Sequence, residues 1–89
     1  MPKISDNKKE KICEQIIHYL YSIFPKQVFT SKISFEIARD EEFTKSLLLD
    51  LEKKGLVVKI SKNPEGINYS KRLRWRISNK AYEIYSKHQ

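Results

Sequence analysis

The sequence has little of several residue types, and each shortage excludes a class of protein. Its 89 residues include one cysteine, two glycines and three prolines. The single cysteine, Cys13, excludes an internal disulfide framework and a zinc site built from cysteines. Two glycines are too few for a glycine-rich phosphate loop. No run approaches the roughly 18 apolar residues of a membrane span, and the first residues lack the apolar segment of a secretory signal. We therefore expect a cytoplasmic protein that does not associate with membranes.

Length and composition predict one small folded domain. A chain of 89 residues suits a single core, and a hydrophobic fraction of 39% argues against disorder. His18 and His88 lie far apart in the sequence, and no nucleophile and base occur at a motif spacing. We expect no catalytic residues, no metal site and no cofactor, and hence no enzyme.

The positive charge is concentrated in one part of the chain. The net charge at pH 7 is +7. Residues 53–76 contain eight lysines and arginines and one glutamate, so this segment alone carries +7. The ten basic and ten acidic residues elsewhere cancel. Such a field attracts polyanions, although a basic surface can also serve solubility alone.

Apolar spacing predicts two helices in the first part of the chain. Between residues 6 and 24, apolar residues recur at helical spacing, and Pro25 ends this helix. Its cap is Ser5 or Asp6. Thr30 or Ser31 is expected to cap a second helix. That helix runs to about Arg39 and turns three residues inward: Ile33, Ile37 and Ala38.

A third helix follows, with an acidic start and a glycine at its end. The carboxylates at 40–42 suit the positive end of the helix dipole, and Gly55 suits the left-handed residue beyond the last turn. Its inward stripe is Phe43, Leu47, Leu48 and Leu51. At about 100° per residue, Leu49 lies on the opposite, outward side.

The last third of the chain predicts a hairpin and a final helix. Residues 56–61 are β-branched, residues 62–66 form a turn, and residues 67–77 alternate. The alternation turns Trp75 into the core and leaves Arg72, Arg74 and Arg76 on the opposite face. Ser78 or Asn79 caps the last helix. Its inward residues are Ala81, Tyr82, Ile84 and Tyr85, and the two tyrosines pack onto the domain or onto a second copy.

Two segments carry a resemblance to a known fold family. Residues 47–59, LLLDLEKKGLVVK, resemble the end of the recognition helix and the first wing strand of MarR, ArsR and PadR-type regulators. Residues 73–81, LRWRISNKA, resemble their entry into the last helix. The implied fold class is α+β, a winged helix-turn-helix with a three-helix core, a two-stranded β-hairpin wing and a C-terminal helix. The boundaries are one domain over 1–89, a flexible start at 1–5, the helix-turn-helix at about 31–54, the wing at about 56–77 and the last helix at about 79–88.

The resemblance implies a function as well as a fold. It implies a regulator of transcription that binds double-stranded DNA, with the third helix in the major groove and the basic wing on the phosphates. A homodimer through the first or last helix would double the contacts. The DNA-binding residues expected on this basis are Lys45, Ser46, Lys53, Lys59, Lys62, Lys71, Arg72, Arg74 and Arg76. For these to act together, the cationic hairpin has to lie beside the outer side of the third helix.

Three features keep other functions open. The third helix starts with carboxylates and contains no arginine, the usual reader of guanine. Leu49 on its outward side and the acidic start also favour a winged helix that contacts another protein, with the basic wing meeting an acidic partner. Binding of single strands or RNA by the hairpin, with Tyr69 as a stacking residue, is a further alternative.

Overall fold

The chain forms four helices and a small sheet, in the order that the sequence predicts. The computed structural model describes residues 6–60 and 73–87. Its elements are α1 (Asp6–Ser22), β1 (Val28–Phe29), α2 (Thr30–Glu36), α3 (Glu41–Lys53), β2 (Val57–Ile60), β3 (Arg74–Ile77) and α4 (Asn79–Lys87). The predicted α+β winged-helix class is confirmed. The start at 1–5 with the predicted cap of α1, the turn at 62–66 and the first part of the second wing strand fall outside what the structure describes.

The described sheet has three antiparallel strands in the order β1-β3-β2. All four residues of β2 pair with β3, as expected for the hairpin. On the other edge of β3, Val28 pairs with Trp75 and Phe29 pairs with Arg74. The short segment before α2 is therefore a third strand, paired to the edge of β3 that β2 does not occupy.

The core lies between the inner face of this sheet and the helices. Trp75 lies in this core and is 0% exposed, which confirms it as a core residue. Its indole Nε1 donates a 2.7 Å hydrogen bond to the hydroxyl of Thr30, so its polar atom is satisfied. Around it pack Ile12, Ile16, Ile17, Leu20, Ile33, Ile37, Leu47, Leu48, Leu51, Val57, Ile77 and Ala81.

The start of α2 differs from its prediction. Thr30 is the first residue of the helix, and the residue before it, Phe29, makes no side-chain cap. The hydroxyl of Thr30 is instead bound by Trp75 in the core. The predicted cap by Thr30 or Ser31 is therefore wrong, because the helix begins at Thr30 and both residues already lie within its first turn.

The end of α2 comes earlier than predicted. The helix ends at Glu36, and Ala38 adopts the left-handed conformation with φ +55. Its N–H donates to the carbonyl of Phe35 at 3.2 Å, and the N–H of Arg39 donates to the carbonyl of Ser34 at 3.0 Å. This paired closure ends the helix and turns the Ala38 side chain out to solvent, not inward as predicted.

The ends of α3 and α4 follow their predictions. Gly55 has φ +77, the left-handed conformation expected beyond α3. Ser78 caps α4, since its hydroxyl oxygen accepts from the Ala81 N–H at 3.1 Å. The same hydroxyl donates to the Gly55 carbonyl at 2.8 Å and so joins the two helix ends.

Helix α4 packs on α1 through aromatic rings. Tyr82 stacks on Phe24 with ring centroids 4.0 Å apart, and Tyr21 lies 5.0 Å from Tyr82 and 4.9 Å from Tyr85. Of the two alternatives predicted for Tyr82 and Tyr85, the structure shows packing onto the domain. Ile84 was expected inward but is 47% exposed. It lies about 100° around the helix from Tyr85, beyond the edge of the packed stripe.

Candidate nucleic-acid interface

The first carboxylate of the acidic segment before α3 caps the helix. Asp40 is the N-cap, and its Oδ2 accepts from the N–H of Phe43 at 3.1 Å. Its carbonyl accepts from the buried Thr44 hydroxyl at 2.8 Å. Glu41 and Glu42 follow in the first turn, where carboxylates favour the helix dipole. Of the three acids, Asp40 is thus bound into the helix, and Glu41 and Glu42 are exposed.

The outer side of α3 carries two of the predicted lysines. The buried residues Thr44, Leu47, Leu48 and Leu51 form one stripe of the helix. Lys45 and Lys53 are exposed on its other side. Ser46 is exposed too, but its hydroxyl donates to the carbonyl of Phe43 at 2.6 Å. Ser46 can therefore offer a ligand only the remaining acceptor positions of its oxygen.

Leu49 does not lie free on this outer side. The helical projection predicts an outward, exposed side chain, but Leu49 is half-buried and packs against the edge of the core. Leu49 is therefore not simply exposed, because helical periodicity describes α3 alone and other residues of the domain partly cover this side chain.

The sheet register separates the basic residues of the wing into two faces. Lys59 pairs with Trp75, so its side chain leaves β2 on the inner face of the sheet. Its Nζ lies 4.0 Å from Oε1 of Glu52 on α3. Val58 and Ile60 pair with Arg76 and Arg74, and these four residues share the outer face. Lys59 therefore lies beside α3, and the two arginines lie on the opposite face of the sheet.

Both arginines have contacts within the fold. The Arg74 guanidinium lies 4.9 Å from the ring centroid of Phe29, its partner in β1. Arg76 donates to the carbonyl of Ile77 at 2.9 Å and to the side chain of Asn79 at 3.4 Å, which ties β3 to the start of α4. The expectation that Arg74 and Arg76 join the outer side of α3 in one surface is wrong, because α3 packs on the inner face of the sheet. Their contacts with DNA stay a prediction.

The other predicted DNA-binding residues belong to the part of the wing that the structure does not describe. Lys62, Lys71 and Arg72, together with Tyr69, lie outside the described residues. Their assignment stays a prediction.

The charge of α3 and its flanks is negative. Residues 40–54 contain five carboxylates and three lysines. A duplex on this helix would meet Lys45 and Lys53 among carboxylates, so attraction for phosphate has to come from the basic segment that follows. The lysines of the helix are hydrogen-bond donors and its carboxylates are acceptors. Such a mixture suits base edges, which present both donors and acceptors, better than phosphates, which only accept.

A cleft opens where α3 begins. It has a volume of about 270 Å³ and lies between the first turn of α3, the start of α2 and the base of the wing. Its lining is Phe29, Thr30, Ser31, Glu41, Glu42, Lys45 and Leu73. The cleft thus brings a lysine and two carboxylates of α3 together beside the sheet.

Phe35 is a surface feature that the sequence analysis missed. It is 77% exposed on α2, and Lys32 Nζ lies 5.7 Å from its ring centroid. Lys32 also forms a 3.0 Å ion pair with Glu36. The signal was present, since Phe35 follows Ile33 by two positions and cannot share its inward face on a helix.

Cys13 has the character of a structural cysteine. Its side chain is half-buried and packs against the core. Burial raises the pKa of the Cys13 thiol above its ordinary value, although the charge of Lys54 opposes this shift. A thiol with a raised pKa holds little thiolate at neutral pH, so it is a weak nucleophile.

The fold is shared with solved structures of transcription regulators. Staphylococcus aureus MepR in complex with DNA superposes with a TM-score of 0.71 at 17% identity, over 93% of this chain and 68% of that one. NadR in complex with 4-hydroxyphenylacetate gives 0.65 at 16% identity, over 98% and 75%. A Lactococcus lactis ZitR mutant in complex with DNA gives 0.61 at 14% identity, over 97% and 51%. These likenesses establish the winged-helix fold.

Sequence comparison adds no closer relative. The sequence matches no known family profile, and no curated protein matches it significantly. The chain spans 60% of the length of a second MepR structure, so a substantial part of such regulators has no counterpart in it. Among residues 6–60 and 73–87, no helix is long and apolar enough to cross a membrane.

Proposed function

We propose that this chain binds double-stranded DNA and acts as a cytoplasmic regulator of transcription. One observation carries the proposal. Helix α3, whose exposed side carries Lys45 and Lys53, lies beside β2, where Lys59 Nζ is 4.0 Å from Glu52 Oε1, in a fold that superposes on a regulator solved with DNA. In helix-turn-helix proteins the second helix enters the major groove.

The proposed contacts divide between the helix and the wing. Lys45 and Ser46 lie in the first half of α3, where a recognition helix meets base edges. Lys53 lies in the last turn of α3, and Lys59 lies on β2 beside that helix. A duplex backbone would pass close to both. Lys62, Lys71 and Arg72 remain proposed wing contacts. Arg74 and Arg76 would reach only phosphates that flank the α3 side, because they leave the sheet on its outer face.

Binding over a salt series tests the proposal. Affinity is measured for a duplex, a single strand and an RNA of equal length by fluorescence anisotropy. We expect preference for the duplex and a linear fall of log affinity with log salt. Lys53→Ala should reduce the steepness of that fall by about one. Lys45→Ala should instead change the preference among duplex sequences.

Lys11→Ala is the matched control for these lysine variants. Lys11 lines a groove with His18 and Tyr85, on α1 and α4, and no residue of α3 lines that groove. Its loss should leave duplex affinity and salt dependence unchanged. If Lys53→Ala and Lys45→Ala behave like this control, α3 is not the interface. Preference for the single strand or RNA would support the hairpin alternative.

A homodimer through α1 or α4 is part of the proposal. Ile84 is 47% exposed on α4 and lies next to Tyr85, which packs on α1. An exposed isoleucine beside an aromatic cluster suits a contact with a second copy. Sedimentation velocity should give a dimer for the protein and a monomer for Ile84→Glu. A monomer in both cases contradicts the dimer without affecting the DNA proposal.

Phe35 favours a second candidate function, contact with another protein. A phenylalanine that is 77% exposed is an apolar surface that DNA binding through α3 does not use. If the protein binds no nucleic acid in the salt series, this candidate takes its place.

A further inference from the structure

Glu42 is the residue of α3 that DNA binding leaves unexplained. A carboxylate on a helix that approaches DNA repels phosphates, so its position needs a reason. The helix dipole favours a carboxylate in this first turn, but it acts on Glu41 as well and does not depend on which side of the helix the carboxylate lies. Glu42 is exposed, and it lies about 180° around the helix from the buried Leu51. No side-chain hydrogen bond or ion pair joins the Glu42 carboxylate to another described residue, whereas the carboxylate of the nearby Asp40 caps the helix.

Lys45 lies beside Glu42, and its side chain likewise has no hydrogen bond or ion pair with a residue of 6–60 or 73–87. Residues three apart on a helix are neighbours, with Cβ atoms about 5–6 Å apart. Both side chains line the cleft at the start of α3. The two therefore present a hydrogen-bond acceptor and a donor side by side, in the half of the helix that meets base edges.

One base pair has the complementary pattern. In the major groove, cytosine offers the N4 amino donor, and its partner guanine offers the O6 and N7 acceptors. Glutamate accepts from cytosine N4, and lysine donates to guanine O6 and N7. An A·T pair also offers one donor and two acceptors, but its donor, adenine N6, lies between the acceptors, and the side chains that pair with adenine N6 and N7 are the amides of asparagine and glutamine.

We propose that Glu42 and Lys45 together read a C·G base pair, with the Glu42 carboxylate on cytosine N4 and the Lys45 ammonium on guanine. The inference rests on the proposed function. It makes the carboxylate a source of selectivity, because at a position where no amino group faces it the charge stays unpaired near the duplex and lowers affinity. Attraction then comes from the basic segment, and discrimination comes from α3.

Selection from a randomised duplex pool tests the pair. The bound sequences of the unaltered protein should share one position that is predominantly C·G. Glu42→Gln should move that position toward A·T, because a glutamine amide pairs with adenine N6 and N7. Affinities for two duplexes that differ only there should favour C·G by at least about fivefold in the unaltered protein, and the variant should lose or reverse that preference.

Glu41→Gln is the matched control. It removes the same charge from the same cleft, but Glu41 lies about 80° from Leu51, at the margin of the buried stripe. The control should keep the C·G position. If Glu42→Gln raises affinity for all duplexes equally and leaves the preferred sequence unchanged, the carboxylate only repels and the inference fails while the proposed function stands. If no duplex binds in a salt-dependent way, both fail.

Discussion

Replacing Ala38 by glycine is expected to stabilise the fold. Ala38 has φ +55, a conformation that costs a residue with a side chain about 1–2 kcal/mol. Glycine adopts it freely but loses about 0.5–1 kcal/mol more conformational entropy on folding. The Ala38 methyl is exposed, so its removal opens no cavity. The difference predicts a free energy of unfolding that is higher by about 0.5–1 kcal/mol in Ala38→Gly.

Urea denaturation followed by the fluorescence of Trp75 measures this change, since Trp75 is the single tryptophan and is fully buried. For a domain of this size, 1 kcal/mol corresponds to about 4–8 °C in the melting temperature. Gly55→Ala is the opposite test. Gly55 has φ +77, and a Cβ added there meets nothing within 4 Å, so no clash adds to the backbone strain. The same difference between strain and entropy, with the opposite sign, predicts destabilisation by about 0.5–1 kcal/mol.

The two variants are expected to change the free energy of unfolding in opposite directions. A loss of stability in Ala38→Gly would mean that the closure of α2 depends on the alanine, against the account based on its backbone angle. An unchanged stability in Gly55→Ala would mean that strain at these two positions is smaller than assumed. Changes of opposite sign are the result that supports the argument.

Two further predictions concern the core. Thr30→Val should lower the free energy of unfolding by about 1–3 kcal/mol, because it leaves the buried Nε1 of Trp75 without its acceptor. In the same denaturation assay, the control Ser31→Ala should change the free energy of unfolding by less than about 0.5 kcal/mol, because Ser31 is exposed. Cys13 should react with iodoacetamide more slowly at pH 8 in the folded protein than in urea, since burial raises the pKa of the thiol and less thiolate is present; equal rates, measured by mass spectrometry, would contradict that environment.

Local chemistry accounts for the parts of the fold that the sequence predicts. Asp40, Gly55 and Ser78 act at helix ends through their own side chains or backbone freedom, and each lies where a local rule expects it. The alternation that turns Trp75 inward is equally local. Such features depend on neighbours within a few positions, which a single sequence displays.

Long-range contacts account for the errors. β1 is a strand because β3 passes beside it. The hydroxyl oxygen of Thr30 accepts a hydrogen bond from Trp75, a residue 45 positions later in the sequence. The two arginines of β3 are outward, as the alternation indicates. That outward direction still leads away from α3, because the helix packs on the inner face with the rest of the core. Which face a helix covers is a property of the packed domain.

The same geometry changes how a duplex would be held. With Arg74 and Arg76 on the outer face, the described α3 side keeps Lys45, Lys53 and Lys59, and Lys59 is close to the Glu52 carboxylate. Five carboxylates accompany three lysines over residues 40–54, so this helix attracts a polyanion weakly by itself. Strong non-specific affinity would then have to come from the basic residues between β2 and β3. In the proposed regulator, a change in the hairpin lysines should alter affinity at every sequence, whereas a change at Lys45 or Glu42 should alter the choice among sequences.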